Sequence, residues 1–372
     1  MTQIGLNKCE LDTPALLIDL DKLENNIRKM ADYYRTKKST AYLLPHQKGH
    51  RLPVVARKQI KQGAEGVSIT SLGLAEYYVW CGFEDILITN EIYGQNKISR
   101  LCALAEHANI TATVDNIENA TQISKTALSL GTKIDIVVEL YMGRRSCGVE
   151  IERAKEFVKE IAKLEGTNFK GFSWHELLPA EFEERNLATR KLLKEIQSLK
   201  DNVEDSGIEV EFLSGGSSYT WNITPEYSTP STRIGVQAGN YVFSDLTTKG
   251  IKGLDEFDCA LTVLTRCISK PKRGEVNFDF GLNSCSFESG DDYRILMSPQ
   301  FKNVKGITEI RQREEMAFAQ LEENADGEIN PGDVLELIPA HADTTAKLHD
   351  KYYGIRNDKV EAVWPNLGRG LL

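Results

Sequence analysis

The stretch DILITNEIYGQNKISRLCALAEHANITATV, residues 85–114, contains two short apolar segments separated by an amphipathic one. DILIT (85–89) and ITATV (110–114) have the length and the β-branched content of buried parallel strands. The segment between them carries apolar residues at the spacing of three and four that is typical of a helix. This order of strand, helix and strand is the repeating unit of an α/β fold.

The same alternation extends from residue 15 to about residue 245. The segments that we predict as strands are ALLIDL (15–20), TAYLL (40–44), GVSIT (66–70), DILIT, ITATV, IDIVVEL (134–140), KGFSW (170–174), VEFLS (210–214) and YVFSD (241–245). When ALLIDL is set aside as a leading strand, eight remain, and this number favours a (β/α)₈ barrel of the TIM type over a doubly wound sheet. We therefore assign residues 14–245 to the barrel.

After residue 250 the alternation with helices ends. Segments such as CALTVLTRCIS, EVNFDFG and DVLELIPAH are separated by turn sequences such as PKRG, which is the pattern of antiparallel strands. We predict that residues 246–372, together with 1–13, form a mainly antiparallel β domain. The predicted fold class is α/β, with a (β/α)₈ barrel followed by this β domain.

The 372-residue chain carries a formal net charge of -9 and has no block rich in lysine and arginine, which argues against a nucleic-acid partner. No apolar segment reaches the roughly 18 residues of a membrane span, and the amino terminus lacks the apolar core of a secretory signal. The seven cysteines form no C-x-x-C pair and are typical of reduced thiols. We therefore expect a cytoplasmic protein with no membrane partner.

In a barrel of this type, the chemistry lies at the carboxyl ends of the strands. LLPHQKGHRLP (43–53) places Lys48 at such an end, between two histidines. This lysine is an ordinary surface residue, or it binds a phosphate, or it forms a Schiff base with an aldehyde cofactor or a carbonyl substrate. FLSGGSSYTW (212–221) follows a later strand, and its glycines and hydroxyl groups suit a phosphate, unless the loop is an ordinary turn.

Two further segments contain candidate site residues. His175, in GFSWHELLPA, lies one residue past a predicted strand and is either a base or a structural histidine. In IPAHADTTAKLHD (338–350), His341 and Asp343 are two positions apart, so their side chains lie on one face of an extended segment. This pair could bind Mn²⁺, Mg²⁺ or Zn²⁺, or it belongs to a surface loop.

These segments together resemble the fold-type III pyridoxal-phosphate enzymes of the D-threonine aldolase and D-serine dehydratase group, which have an alanine racemase-like N-terminal domain. The resemblance extends from about residue 13 to residue 370. It is carried by TPALLIDLDKLENNI, LLPHQKGHRLPVVARKQIKQGAEGV, VELYMGRRSCGVE, FLSGGSSYTW, QAGNYVFSD and IPAHADTTAKLHDKYYGIRNDKVEAVWPNLGRG.

The resemblance implies that pyridoxal 5'-phosphate is bound covalently to Lys48 and that His175 is a base. It also implies that His341 and Asp343 bind the divalent metal. The cofactor-binding residues that it implies are Lys48, Arg145 (or Arg144 in its place), Ser214, Gly215, Gly216, Ser217, Ser218 and Tyr241. One departure from the family lies beside the predicted base, because Glu176 stands where glycine is common.

The reaction that the resemblance implies is cleavage of a D-β-hydroxy amino acid to glycine and an aldehyde, as in D-threonine aldolase or 3-hydroxy-D-aspartate aldolase. The H-x-D sequence of His341 and Asp343 favours this reaction, since H-x-C is typical of the D-serine dehydratases. The alternatives are a D-serine or D-threo-3-hydroxyaspartate dehydratase, an amino-acid racemase and a non-catalytic carrier of the cofactor. Family members of this kind are commonly homodimers.

Overall fold

The structure is a computed structural model that describes residues 3–37, 40–143, 147–176, 178–179, 181–289, 296–325 and 327–372. The chain divides into two compact units. The first, which we call the barrel unit, consists of Arg28–Gly239 and Gly370–Leu372. The second, which we call the β unit, consists of the residues up to Ile27 and of Asn240–Arg369.

The strands are numbered in chain order. They are β1 Ala15–Asp19, β2 Tyr42–Leu43, β3 Val67–Ile69, β4 Asp85–Ile88, β5 Asn109–Val114, β6 Ile134–Leu140, β7 Thr167–Trp174, β8 Phe212–Gly215, β9 Ile234–Val236, β10 Leu261–Lys272, β11 Glu275–Phe278, β12 Glu288–Ser289, β13 Leu296–Met297, β14 Gln300–Phe301, β15 Ile307–Gln312, β16 Ala317–Leu321, β17 Val334–Ile338, β18 Lys351–Arg356 and β19 Lys359–Pro365.

The helices are numbered in the same way. They are α1 Leu20–Thr36, α2 Pro53–Lys61, α3 Leu72–Trp80, α4 Gln95–Leu104, α5 Ile117–Ser129, α6 Ile151–Ile161, α7 Phe182–Glu204 and α8 Ala342–Ala346. Short 3₁₀ helices cover Lys8–Glu10, Thr224–Tyr227, Asn240–Val242 and Glu323–Ala325. Within the described ranges, none of the helices has both the length and the apolar character that crossing a membrane requires.

Strands β2 to β9 form one parallel sheet, in the order β2-β9-β8-β7-β6-β5-β4-β3. The two ends of this sheet meet through a parallel bridge between His46, just beyond β2, and Ser68 of β3. Every apolar side chain of β6 is buried, as expected for a strand that is covered on both faces. The predicted (β/α)₈ barrel is therefore confirmed.

The helices of the barrel unit form where the sequence provides a start and an apolar stripe. The side chain of Asn116 precedes α5 and accepts a hydrogen bond from the Asn119 amide at 3.1 Å, which caps the first turn. In α6, Ala154, Val158 and Ile161 are buried at spacings of four and three residues, so one face of that helix is covered.

The last barrel strand is not the predicted one. YVFSD (241–245) does not form a strand, because Asn240–Val242 is a 3₁₀ helix and Ser244 has a positive φ of 48°. The eighth strand is β9, which is only three residues long and contains Gly235. A Cβ atom on this glycine would lie 2.7 Å from a methyl carbon of Leu44, so glycine allows β9 to approach the neighbouring strand.

The β unit contains a mixed sheet in which β15-β16-β11-β10-β1-β18-β19 are neighbours, with β17 on β10 and β14 on β17. Of the pairings in the described part of this sheet, only that of β1 with β18 is parallel. The predicted mainly antiparallel second region is thus confirmed. Its core includes Leu11, Ala15, Leu17, Leu264, Tyr353, Ile355 and Val360.

The boundaries predicted from the sequence, 14–245 and 246–372, differ from this division. Strand β1 pairs with β10 and β18 and therefore satisfies its backbone hydrogen bonds in the sheet of the β unit. The division falls inside α1, after Ile27, and again between Gly239 and Asn240. Residues Gly370–Leu372 group with the barrel unit.

Candidate active site

Lys48 lies in the loop between β2 and α2 of the barrel unit, and its side chain is exposed. The residue before Lys48 in this loop, Gln47, is completely buried. Its side-chain nitrogen Nε2 donates to Gln59 Oε1 at 3.1 Å, and its side-chain oxygen Oε1 accepts from the Tyr78 hydroxyl at 3.2 Å. The structure therefore combines a fixed backbone with an accessible amine at the carboxyl end of a barrel strand.

The two histidines that flank Lys48 are electrically neutral at pH 7. Burial lowers the pKa of His46 well below its ordinary value, and the positive charges of Lys48 and His175 lower it further. Burial also lowers the pKa of His50 to about 3. Nδ1 of His46 accepts a hydrogen bond from the Lys48 amide at 3.3 Å, so its Nε2 carries the proton and faces Thr89 Oγ1 at 3.3 Å.

His175 follows β7 directly, and its side chain is exposed. It lies close enough to His46 for its charge to lower the pKa of His46, as does that of Lys48. The structure thus brings Lys48, His46 and His175 together at the carboxyl ends of the barrel strands. The sequence analysis predicted catalytic roles for Lys48 and His175 and noted His46 only as a histidine close to Lys48.

The glycine loop, residues 215–220, follows β8 and is shaped by its two glycines. A Cβ atom on Gly215 would lie 2.2 Å from the ring of Trp174. Gly216 has a φ of +74°, and a Cβ atom on it would lie 2.8 Å from Thr224 Oγ1. The main chain therefore follows a path that only glycine allows, and such a path lets backbone groups come close to an anion.

Glu176 is buried beside the glycine loop, with only 7% of its surface exposed. Its Oε1 accepts hydrogen bonds from the hydroxyl groups of Ser217 at 3.4 Å and Thr220 at 2.8 Å. Thr220 Oγ1 also accepts from the Ser217 amide at 3.0 Å. The other carboxyl oxygen, Oε2, is buried and has no hydrogen-bond partner in the part of the chain that is described. The sequence analysis noted that Glu176 stands where glycine is common, but it did not predict these contacts.

Two other residues that were predicted to bind the cofactor, Ser214 at the end of β8 and Ser218 in the glycine loop, are also buried. The hydroxyl of Ser214 donates to the Gly235 carbonyl at 3.0 Å and accepts from Gln237 Nε2 at 2.9 Å, so its contacts lie within the barrel. Ser218 is 3% exposed. Arg144 and Arg145 lie outside the described residues.

A group of acidic side chains lies at the ends of β4, β5 and β6. The side chains of Glu91, Asp115 and Cys147 each bring one possible ligand atom within 4.8 Å of the others. Burial, together with a hydrogen bond to Glu91, raises the pKa of Glu139 to about 9, so this carboxyl carries a proton at pH 7. Burial likewise raises the pKa of the Cys147 thiol to about 11. The sequence analysis did not identify this group.

In the β unit, His341 and Asp343 lie at the point where β17 leads into α8. His341 has an extended backbone, with φ −132° and ψ 120°, and Asp343 is in the first turn of the helix. His341 Nε2 is 3.8 Å from Asp343 Oδ2, and Asp343 is 6% exposed. An imidazole nitrogen and a carboxylate oxygen at this separation are donors that suit a divalent cation.

Asp245 is a third member of this group that the sequence analysis missed. Its Oδ2 lies 3.3 Å from His341 Nδ1 and accepts a hydrogen bond from the Ala342 amide at 2.8 Å. Burial alone would raise the pKa of Asp245, but the nearby imidazole of His341 and the hydrogen bond from the Ala342 amide hold it below its ordinary value. The only local signal is the D-x-T spacing, in which Asp245 Oδ1 accepts from the Thr247 amide at 3.0 Å.

Tyr241, which the sequence analysis assigned to the cofactor, belongs to the β unit. It is 2% exposed, and its ring packs edge-on against Phe257 with a centroid distance of 5.6 Å.

Comparison with known proteins agrees with the two units. The chain matches the model of the alanine racemase N-terminal domain over residues 18–238 and that of a putative serine dehydratase domain over residues 260–355. These two matches correspond to the barrel unit and to much of the β unit.

Individual relatives match nearly the whole chain. It is 32% identical to 3-hydroxy-D-aspartate aldolase of Paracoccus denitrificans (strain Pd 1222), over 98% of this chain and 94% of that protein. It is 31% identical to D-threonine aldolase of Arthrobacter sp., over 99% of this chain and 95% of that protein. The crystal structure of D-threonine aldolase from Filomicrobium marinum matches with a TM-score of 0.91 at 27% identity, covering 100% of this chain and 99% of that one. This chain therefore belongs to the alanine racemase-like family of pyridoxal-phosphate-dependent enzymes, in the group of lyases that contains these aldolases.

Proposed function

We propose that this protein uses pyridoxal phosphate and a divalent cation to cleave D-β-hydroxy amino acids into glycine and an aldehyde. The observation that carries the proposal is the His341–Asp343 pair, with Nε2 and Oδ2 3.8 Å apart. The second donor is a carboxylate, where the dehydratases of this group typically have a thiolate. Imidazole and carboxylate donors suit Mn²⁺, Mg²⁺ and Zn²⁺.

The barrel unit contains groups that fit the cofactor. The exposed amine of Lys48 would hold its aldehyde carbon, and the loop of Gly215, Gly216, Ser217 and Ser218 would hold its phosphate. Bound pyridoxal phosphate supplies a sink for the electrons of the breaking bond. Arg145 and Tyr241 stay predictions as further cofactor contacts.

The β unit contains groups that fit the cation. His341 and Asp343 would supply one nitrogen and one oxygen ligand, with water or substrate at the remaining positions. A divalent cation supplies Lewis-acid chemistry, which lowers the pKa of a hydroxyl group that it binds.

The proton step falls to His175. As the Cα–Cβ bond breaks, its imidazole would take the proton of the substrate's β-hydroxyl, so that Cβ becomes the carbonyl carbon of the aldehyde. The electron pair of the bond stays on the Cα side, and a proton added to Cα completes glycine. The exposed position of His175 allows the imidazole to return its proton to water after each turnover.

The experiment supplies D-threonine and D-serine to protein loaded with pyridoxal phosphate and Mn²⁺. We expect glycine and acetaldehyde from D-threonine, and no activity in the presence of EDTA. A keto acid with ammonia would instead identify a dehydratase, and conversion to the L-isomer would identify a racemase. Bound cofactor without any turnover would identify a non-catalytic carrier.

Three further points are predictions, of which the first two rest on the resemblance and the third on the cysteine pattern and the amino-terminal sequence. The substrate is a small D-β-hydroxy amino acid, and rates with D-threonine and 3-hydroxy-D-aspartate would rank the two aldehyde halves. The protein forms a homodimer, which light scattering of the loaded protein would measure. It works in the cytoplasm, which a tagged chain would locate.

A further inference from the structure

Asp245 is a buried carboxylate in which both oxygens are occupied. Its side chain is completely inaccessible to solvent. Oδ1 accepts from the amide and the hydroxyl of Thr247, and Oδ2 accepts from Asn240 Nδ2 at 2.9 Å and from the Ala342 amide at 2.8 Å. A buried charge with this many donors is held in one orientation, and Oδ2 in that orientation lies 3.3 Å from His341 Nδ1.

The imidazole of His341 lies between two carboxylates. Nδ1 is near Asp245 Oδ2, whereas Nε2 is near Asp343 Oδ2 at 3.8 Å. A carboxylate accepts a hydrogen bond and cannot donate one, so Asp245 favours the tautomer with the proton on Nδ1. That tautomer leaves the lone pair of Nε2 directed to the side of Asp343, and a metal requires such a lone pair.

We propose that Asp245 is a positioning residue that selects the metal-binding tautomer of His341 and thereby sets the affinity of the site for its cation. The inference rests on the proposed function, since it needs His341 and Asp343 to be ligands. Asp245 also fixes the peptide between these two residues through the Ala342 amide. One carboxylate thus orients the ring of one ligand and the backbone that carries the other.

The variant Asp245→Asn tests the effect on the tautomer, because it removes the negative charge and turns one of the two oxygens into an NH₂ group. An NH₂ group in the place of Oδ2 would face His341 Nδ1 and favour the opposite tautomer, with the proton on Nε2, as happens when asparagine replaces the aspartate of a catalytic triad. An amide oxygen in that place keeps the hydrogen bond from the Ala342 amide but is a weaker acceptor for Nδ1–H than a carboxylate, so either orientation weakens the preference for a proton on Nδ1. We expect the dissociation constant for Mn²⁺, measured by the electron paramagnetic resonance of free Mn²⁺, to rise about 10- to 100-fold.

The measurement uses cofactor-loaded protein. Asp279→Asn is the matched control, because Asp279 also accepts hydrogen bonds within the β unit, from Thr265 Oγ1 at 2.7 Å and the Arg266 amide at 2.8 Å. We expect the control to bind Mn²⁺ like the wild type. A folded Asp245→Asn variant with wild-type affinity would overturn the inference alone, whereas a wild-type protein that binds no Mn²⁺ would overturn the proposed function with it.

A second measurement needs no variant. The ¹⁵N chemical shifts of His341 in the wild-type protein without metal report which ring nitrogen carries the proton. We expect the proton on Nδ1. A proton on Nε2 would overturn the inference, even if Asp245→Asn does not fold.

Discussion

The barrel unit and the β unit build their candidate sites in different ways. In the barrel unit, Lys48, His175 and the glycine loop each follow a parallel strand, namely β2, β7 and β8. The closed sheet brings these strand ends together whatever their distance along the chain. In the β unit, Asp245 comes from a turn after a 3₁₀ helix, whereas His341 follows β17. Their contact depends on how these two segments pack in the β unit, because no repeated unit of strand and helix brings them together. The candidate site in the barrel unit is thus a property of the topology, and the candidate metal site in the β unit a property of particular contacts.

The largest effect that we expect comes from replacing Lys48 by alanine. Without this amine the protein has no covalent attachment for the aldehyde cofactor, so activity and the visible absorbance of the bound cofactor should both disappear. Mn²⁺ binding in the β unit should persist, because none of its candidate ligands is changed. Lys61→Ala, at the exposed end of the following helix, is the control and should retain both properties. Persistent visible absorbance in Lys48→Ala would refute the assignment of this lysine.

The reciprocal prediction concerns the β unit. His341→Ala or Asp343→Ala removes a proposed ligand, and we expect Mn²⁺ affinity to fall by roughly 100-fold or more, with a loss of turnover. The absorbance of the cofactor in the barrel unit should be unchanged. Asp350→Ala is the matched control, because this aspartate is 83% exposed in the same segment. Full activity of Asp343→Ala in the presence of EDTA would contradict the proposed metal dependence.

The same contrast explains what could be predicted from the sequence. The places of Lys48 and of the glycine loop at strand ends were predictable, because strand periodicity locates strand ends, and strand ends locate the rim of a barrel. Strand β9 was missed, since three residues with a central glycine carry no periodicity. The segment of Asp245 was wrongly predicted as a strand, because its apolar residues conceal a turn with a positive φ at Ser244. The contact between Asp245 and His341 joins residues almost one hundred positions apart, and no local pattern records it.

The third prediction tests whether the buried carboxyl group of Glu176 weakens the binding of the cofactor in the barrel unit. Glu176 is buried against Ser217 and Thr220, and a carboxylate there opposes the phosphate that the glycine loop would hold. Glu176→Gln keeps an acceptor for both hydroxyl groups and removes the charge. We expect the dissociation constant for pyridoxal phosphate, measured by absorbance titration, to fall about tenfold, which corresponds to about 1.4 kcal/mol. Glu183→Gln, on the exposed start of α7, is the control. Unchanged or weaker binding in Glu176→Gln would mean that this residue supports the loop.

The smallest effect concerns acid stability, which we expect to be limited by the barrel unit. The pKa of His50 is about 3 in the folded protein because the ring is buried, and about 6.5 in the unfolded chain. The unfolded state therefore binds the proton more strongly between these values, and the stability that is present above pH 6.5 declines as the pH falls towards 3. From pH 7 to 5.5 this histidine should lower the free energy of unfolding by about 1 kcal/mol.

Urea titrations at the two pH values measure this decline through the fluorescence of the tryptophans. His46, whose pKa is also lowered by burial, adds a loss of the same sign. In His50→Asn the amide oxygen can replace Nδ1 as the acceptor for the Leu52 amide, so the decline should become smaller while the protein still folds. His107→Gln changes an exposed histidine and is the control. An undiminished decline in His50→Asn would assign the acid sensitivity between these pH values to other buried imidazoles, such as that of His46. In that case the burial of His50 would carry no stability cost in this range.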